Sequence, residues 1–250
     1  MTISKIAIPI VVLCLCLISG CMTNTGDVIV KEKILSDFTC VSIGEGFEVE
    51  VIQSESFSIV VSADSSLYRY ILISREGEIL SIYISPRYPQ YRSVLRGFFQ
   101  KEKALRVSIR MPDLRTLSLS GASRGTVEGF QPSEFNLYLT GASSLDGNIN
   151  AGDANLRMSE ASRVRLKGSA NRLILFAAGR SNAELTYFPV KDANVNLSAL
   201  SEATINVRGK LDCFLTDMSN LYYSGNPTMG NIEVYAGSAI KPSGRRYLPW

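Results

Sequence analysis

Histidine is absent from the 250-residue sequence. Ser-His-Asp triads, zinc sites with histidine ligands and histidine acid–base catalysis therefore each lack a required side chain. The Gly-Gly-x-Gly-x-Asp signature of calcium-binding repeats is missing as well. We expect no metal site, no cofactor and no catalytic residue, and hence a protein that is not an enzyme.

Cysteine is sparse, with five residues, three of which lie within the first 21 positions. The other two, Cys40 and Cys213, lie in alternating apolar patterns that predict strands. Both positions are typical of small buried residues, so we expect two unpaired thiols in the core. A disulfide between them is the alternative, because its geometry cannot be derived from the sequence.

Net charge is also small, at +3 for the whole sequence. A charge of this size creates no strong overall field, so we expect no nucleic-acid partner.

The amino terminus has the features of a secreted and processed segment. Lys5 precedes an apolar stretch over residues 6–18, and Leu17-Ile18-Ser19-Gly20-Cys21 follows. This pattern resembles a bacterial lipobox, in which the cysteine is lipidated and the preceding peptide is removed. The resemblance implies a signal peptide over 1–20, lipidation at Cys21, a tether over 21–30 and a membrane partner. An ordinary signal peptide or a membrane helix is the alternative.

The residue after Cys21 bears on the location of such a lipoprotein. Met22 stands where retention in the inner membrane favours Asp, so we expect an outer-membrane lipoprotein. Both a periplasm-facing and a surface-exposed orientation are left open.

A repeat of 18 to 20 residues dominates the second half of the chain. Each copy, here called a rung, ends a short motif at a serine: Ser123, Ser143, Ser162, Ser181, Ser201, Ser219 and Ser238. Apolar residues stand six and four positions before each serine (positions −6 and −4), which is the period-2 pattern of a half-buried strand. A second alternation follows at +2 and +4, and several rungs end in glycine. Each rung is predicted to be strand, tight corner, strand and turn.

Two topologies fit such a rung: a parallel β-helix and an antiparallel meander of hairpins. The identical phase of all rungs favours the parallel form, in which like residues stack on like. We therefore predict an all-β protein with a parallel β-helix, or β-solenoid, of about seven rungs. The predicted domains are a non-repetitive N-terminal β layer over 31–110 and a repeat region over 111–250, with residues 245–250 as a C-terminal cap.

Outward positions of the stack carry two notable series. Position −7 is rich in asparagine, which predicts side-chain amides bonding from rung to rung. Position −5 contains Tyr138, Arg157 and Phe176, with Phe214 further along. If this face is solvated, it is an apolar stripe that binds a partner, such as a sugar stacking on the rings. If another layer covers it, the rings belong to the core, and both interpretations stay open.

A basic and aromatic loop is predicted over 85–104, between the two halves. Long loops in compact domains are often functional, and arginine beside aromatic rings suits an anionic glycan. Its candidate contacts are Arg87, Tyr88, Tyr91 and Arg92. The alternative is a flexible excursion between sheets, with the basic residues extended to solvent.

The chain resembles the GIN-type domain of putative auto-transporter adhesin heads. The residues that carry the resemblance are Met111-Pro-Asp-Leu-Arg-Thr-Leu117-Ser-Leu-Ser-Gly-Ala-Ser123, the repeated Gly-Ala-Ser corners, and the earlier Gly46-Phe47-Glu-Val49-Glu-Val51 and Leu80-Ser-Ile82. It covers nearly all of residues 31–240. The resemblance implies a β-helical, lipid-anchored or secreted protein of Bacteroidetes-like bacteria, and it supplies no catalytic residues.

These expectations combine into a non-catalytic, lipid-anchored adhesion or binding module of the cell envelope, with a polysaccharide or a protein as partner. Its predicted contact residues are Arg87, Tyr88, Tyr91, Arg92, Tyr138, Arg157 and Phe176. One alternative is a structural scaffold that self-associates. Another is a β-helix enzyme that degrades polysaccharides, which would need carboxylates clustered on neighbouring rungs.

Overall fold

The parallel β-helix is confirmed by the computed structural model, which describes residues 28–89 and 105–243. One short helix, α1 (Ser65–Tyr68), accompanies the strands. The strands before the first corner serine are β1 (Val28–Lys33), β2 (Cys40–Ile43), β3 (Glu48–Gln53), β4 (Ser58–Asp64), β5 (Ile71–Glu76), β6 (Ile79–Ile84), β7 (Arg106–Met111) and β8 (Thr116–Leu119). Those after it are β9 (Arg124–Glu128), β10 (Glu134–Leu139), β11 (Ser144–Met158), β12 (Arg163–Ala177), β13 (Asn182–Leu197), β14 (Glu202–Val207), β15 (Lys210–Leu215), β16 (Asn220–Gly225), β17 (Thr228–Val234) and β18 (Ala239–Pro242).

Strand pairing divides the stack into two faces. The leading face holds the strands that precede each corner, and the trailing face holds those that follow it. Leading strands stack in the order β5, β6, β2, β8, β10, the second halves of β11 to β13, β15 and β17. Trailing strands stack in the order β1, β4, β7, β3, β9, the first halves of β11 to β13, β14, β16 and β18. All pairings from β6 and β7 onward are parallel, because each rung repeats the phase of the one before.

The register includes a rung that the serine repeat does not reveal. Val41 pairs with Leu117 and Ile43 with Leu119, so β2 continues the −6 and −4 columns. On the trailing face Glu48 pairs with Arg124, which places Phe47 level with Ser123. The Phe47 backbone N–H donates to Ser123 Oγ at 3.3 Å. Part of the N-terminal layer therefore extends the solenoid, with Phe47 at the serine position.

Each corner turns through two consecutive residues with positive φ. Gly121 and Ala122 have φ of 61° and 64°, and non-glycine pairs such as Ala199 and Leu200 adopt the same conformation, at 52° and 64°. The corners also bond to each other: the Ala122 N–H donates to the Gly141 carbonyl oxygen at 2.7 Å, and the next corners continue this pattern. The backbone hydrogen bonds of the stack thus run unbroken through the bend, which explains why even non-glycine corners keep this geometry.

The corner serines are structural. Those at 123, 143, 162, 181, 201 and 219 are at most 1% exposed. Five of their hydroxyls donate to the carbonyl oxygen three residues earlier, at 2.6–2.8 Å. The sixth, Ser201 Oγ, has no hydrogen-bond partner within the described chain. Five of the six hydroxyls therefore close their own corners, and all six serines are shielded from solvent.

Inward columns fill the space between the two faces. Positions −6 and −4 on the leading face and +2 and +4 on the trailing face are almost fully buried through the middle rungs. Gly125 and Gly147 occupy inward trailing positions, and a Cβ at Gly147 would lie 2.4 Å from Val127. Small residues there make room for the larger side chains opposite, so the core is a continuous packed column.

The sequence predicts that glycines form the turns that end several rungs, and the structure agrees in part. Gly129, Gly168 and Gly225 have φ of 91°, 108° and 91°. Gly147 and Gly209 do not have positive φ, and Gly147 is small for packing instead.

The asparagine series at −7 bonds along the stack only locally. Asn155 Nδ2 donates to Asn136 Oδ1 at 3.0 Å. Ile174 interrupts the column, and Asn194 Oδ1 accepts from Asn196 of its own strand at 3.0 Å.

The two cysteines of the described chain are both free. Six strand steps separate β2, which holds Cys40, from β15, which holds Cys213, or roughly 29 Å at about 4.8 Å per step. A disulfide requires Cα atoms within about 7 Å, so the two cannot pair within one chain. Burial raises the pKa of the Cys213 thiol to about 11. Within residues 28–89 and 105–243, no helix has the length and apolar character that crossing a bilayer requires.

Candidate binding groove

An aromatic stripe lies on the solvent side of the leading face. Tyr138, Phe176 and Phe214 point outward from alternate rungs and are 40%, 38% and 43% exposed. The register places Arg157 between the first two rings and Asn196 between the last two. No other described layer covers this face, so the stripe is solvated and is not part of the core.

These outward side chains form one wall of a shallow groove of about 360 Å³. Its floor includes the −3 position beside the corners, where Thr140, Ser159, Ala178 and Ser198 follow one another. Rings and short hydroxyl side chains therefore run in parallel rows along the stack. The groove crosses the strands and extends along the solenoid axis.

Of the described residues that line the groove, only Arg157 is charged. Its guanidinium carbon lies 4.6 Å from the centre of the Phe176 ring, which is a cation–π contact. No carboxylate of the described chain lies within ion-pair distance of Arg157. Among the described residues, the positive charge of the groove thus has no acid partner.

Carboxylates near the groove are directed elsewhere. Glu233, the next residue in the −5 column after Phe214, accepts from Asn231 Nδ2 at 2.7 Å on its own strand. Glu160 lies on a corner, close to Gly141. Phe214 contacts Tyr235 on the next rung, with ring centres 5.8 Å apart.

On the trailing face some of the outward charges form ion pairs. Arg165 bonds Glu184 at 2.8 Å and Asp146 at 3.2 Å across three neighbouring rungs. These hydrogen bonds and charges raise the pKa of the Arg165 guanidinium. The described residues contain no group of three or more Cys, Asp or Glu that could hold a metal ion.

The predicted site residues fall into three groups. Tyr138, Arg157 and Phe176 are brought together in the groove on consecutive rungs. In the loop, Arg87 is exposed, but Tyr88 is only 8% exposed and packs on Tyr70 with ring centres 5.2 Å apart. The assignment of Tyr88 as a ligand contact is therefore wrong, because its ring belongs to the core. Tyr91, Arg92 and the lipidation site Cys21 lie outside the described residues.

Only residues 85–89 of the loop are described. They follow β6, which ends at Ile84, and β7 begins at Arg106. Three strand steps, roughly 14 Å, separate β6 from β10, which carries Tyr138.

Sequence reasoning left some groove residues out of the predicted site. Phe214 was visible as part of the stripe, and Asn196 and the hydroxyls at −3 share the same period. The position of a residue relative to the corner serine assigns it to a column of the stack. This position is the sequence signal that identifies the additional groove residues.

A two-faced parallel solenoid with an open, aromatic-lined groove is typical of proteins that use an extended surface for binding. The sequence profile of the putative auto-transporter adhesin, head GIN domain, matches residues 37–227, and the chain belongs to that family. The resemblance seen in the corner motifs is thereby confirmed.

Solved structures share the fold at low sequence identity. A putative adhesin from Bacteroides fragilis is 16% identical, with a TM-score of 0.75 over 86% of this chain and 97% of that one. A putative adhesin from Parabacteroides merdae is 14% identical, with a TM-score of 0.67 over 88% and 97% of the two chains. A putative lipid binding protein from Parabacteroides distasonis is 16% identical, with a TM-score of 0.65 over 86% and 96%. A search of curated proteins found no significant match.

Proposed function

We propose that this protein is a non-catalytic binding module of the cell envelope that holds a polysaccharide in the leading-face groove. Its tether would be the lipid at Cys21, and its location the outer membrane. Membership of an adhesin family supports an envelope role, and the lipobox-like Leu17-Ile18-Ser19-Gly20-Cys21 supports the anchor.

The observation that carries the proposal is the solvated row of Tyr138, Phe176 and Phe214. A contiguous row of exposed aromatic rings, unlike a single exposed ring, is typical of a binding surface. Sugar rings present C–H faces that stack on aromatic rings, and their hydroxyls can bond to Asn196 and the −3 hydroxyls. The groove offers both kinds of contact in parallel rows.

A polysaccharide fits better than a folded protein partner because the groove is narrow, shallow and repetitive. Protein interfaces normally require a wider patch with a well-packed apolar centre. Glu134 and Asp153 stand at equivalent positions of neighbouring strands, but neither lines the groove, and Asp153 lies 3.6 Å from Arg172. The corner serines are buried, and no described carboxylate lines the groove, so binding there is favoured over cleavage.

The test is a glycan array probed with the chain from Met22 onward, which retains every described strand. We expect at least one polysaccharide class to bind and to be recovered intact. Tyr138→Ala and Phe176→Ala should each weaken binding by roughly two- to tenfold, since aromatic stacking contacts contribute about 0.5–1.5 kcal/mol.

Tyr187→Ala is the matched control, because Tyr187 is 65% exposed and lies outside the groove. It should leave glycan binding unchanged. A cleaved glycan would revive the enzyme alternative. Equal binding by the groove variants and the wild type would remove the groove from the function, and a protein partner lost in the same variants would change the ligand class.

A further inference from the structure

The rings of the groove recur with a two-rung period. Neighbouring strands are about 4.8 Å apart, so Tyr138 and Phe176 stand roughly 10 Å apart along the stack, and Phe176 and Phe214 likewise. The three rings together span about 19 Å. A ligand that uses all three must therefore be extended and must repeat at this interval.

An extended β-linked polysaccharide has a matching geometry. Each pyranose lengthens such a chain by about one strand spacing, and successive sugars are turned over relative to each other. Every second sugar therefore presents the same face. A chain lying along the groove would place alternate sugars on Tyr138, Phe176 and Phe214, and the intervening sugars beside Arg157 and Asn196.

The intervening positions differ in charge. Arg157 stands between the first two rings and has no acid partner in the described chain, whereas the uncharged Asn196 stands between the last two. A carboxylate on the sugar beside Arg157 would receive charge-assisted hydrogen bonds from the guanidinium, which contacts the Phe176 ring. With a neutral sugar at that position, the Arg157 guanidinium would form its hydrogen bonds with water instead.

We infer that the groove selects extended β-linked polysaccharides with a disaccharide repeat in which a uronic acid alternates with a neutral sugar. One repeat occupies two rungs, and the uronate meets Arg157. This inference rests on the proposed function and specifies its ligand. It also predicts that internal segments of a chain bind, because the groove is open along the solenoid axis.

Calorimetric titration with two matched oligosaccharide series tests the inference. Hyaluronan fragments alternate glucuronate with N-acetylglucosamine, and chitin fragments contain N-acetylglucosamine alone. Each series is measured at two, four and six sugars. We expect affinity to rise stepwise to the hexasaccharide as successive rings are engaged, and the hyaluronan series to bind about tenfold more tightly at equal length.

Three variants separate the parts of the inference. Arg157→Gln should abolish the preference for hyaluronan while chitin binding persists. Phe214→Ala should remove the gain from tetrasaccharide to hexasaccharide, whereas Phe176→Ala should weaken every length. Tyr187→Ala again serves as the control.

Failure of the inference and failure of the proposed function give different results. If affinity is independent of length, or if the two series bind equally, the inference is wrong, yet the function stands if array hits still depend on Tyr138 and Phe176. If neither series binds, the inference is also overturned. If array hits bind equally well to all groove variants, both are wrong.

Discussion

The two ends of the solenoid are closed differently. At the N-terminal end, β4 and β5 run antiparallel to the last parallel strands, and β1 adds to β4. Ile59 and Val61 of β4 and Leu67 of α1 are fully buried over this end of the core. At the C-terminal end, β17 and β18 pair only with the preceding rung within the described residues.

The same columns therefore have different burial at the two ends. Ile82 and Val234 both stand at position −4, and they are 0% and 36% exposed. Ile232, at −6, is half-buried, whereas Leu80 in the same column is fully buried. An apolar residue of a rung is therefore buried by the next rung, and the alternating pattern in the sequence does not by itself guarantee burial.

The largest expected effect is a difference between two isoleucine truncations. Ile82→Ala should lower the free energy of unfolding by about 3 kcal/mol, because it opens a cavity in a covered part of the core. Ile232→Ala should cost only about 1 kcal/mol, since the site is already partly solvated. Urea denaturation followed by circular dichroism measures both.

Equal losses in the two variants would contradict the comparison. They would mean that the C-terminal rung is covered as completely as the N-terminal one. Tyr187→Ala, on an exposed site, provides the baseline and should change stability by less than about 0.5 kcal/mol.

A second, smaller effect concerns the segment that follows β18. The sequence predicts that residues 245–250 cap the last rung, and this prediction lies outside the described residues. Replacing Tyr247, Leu248 and Trp250 together by Ser should lower the free energy of unfolding by about 2 kcal/mol if these side chains cover the half-buried Ile232 and Ile240. The replacement keeps the chain length unchanged.

Arg245→Gln with Arg246→Gln is the control for this experiment, since it alters the same segment without removing apolar surface. Dye binding to exposed apolar surface should increase only in the Ser variant. Unchanged stability and dye binding in that variant would leave the C-terminal end open to solvent or to another partner.

Much of the fold follows from the corner serines. Their spacing gives the rungs, their phase gives the parallel register, and positions −6 and −4 give the inward columns, as with Leu137 and Leu139. The rung at β2 and β3 escapes this reasoning because Phe47 occupies the serine position. Aligning Gly46-Phe47 with the corner motif would have required knowing that the bend tolerates a large buried side chain.

The candidate site was less accessible to prediction, for two physical reasons. A period-2 pattern places Tyr138 and Phe176 opposite the core, but whether another layer covers them depends on the rest of the chain. In the loop, a residue that the sequence predicts to be exposed is buried. Tyr88 lies in a basic and aromatic segment typical of a contact site, and only its packing on Tyr70 shows that it is buried.

The last prediction compares corners with and without glycine at the first residue of positive φ. Gly141 begins its corner, whereas Ala199 occupies the equivalent position of another, with a φ of 52°. Ala199→Gly should raise the free energy of unfolding by about 0.5 kcal/mol, because relief of left-handed strain exceeds the added entropy of the unfolded chain. Gly141→Ala should lower it by about 1 kcal/mol or more, since the new Cβ would also lie 3.0 Å from the Gly121 nitrogen. Urea midpoints of both variants against wild type measure the two signs. Destabilisation by Ala199→Gly would mean that the later corners gain more from their side chains than they lose to strain.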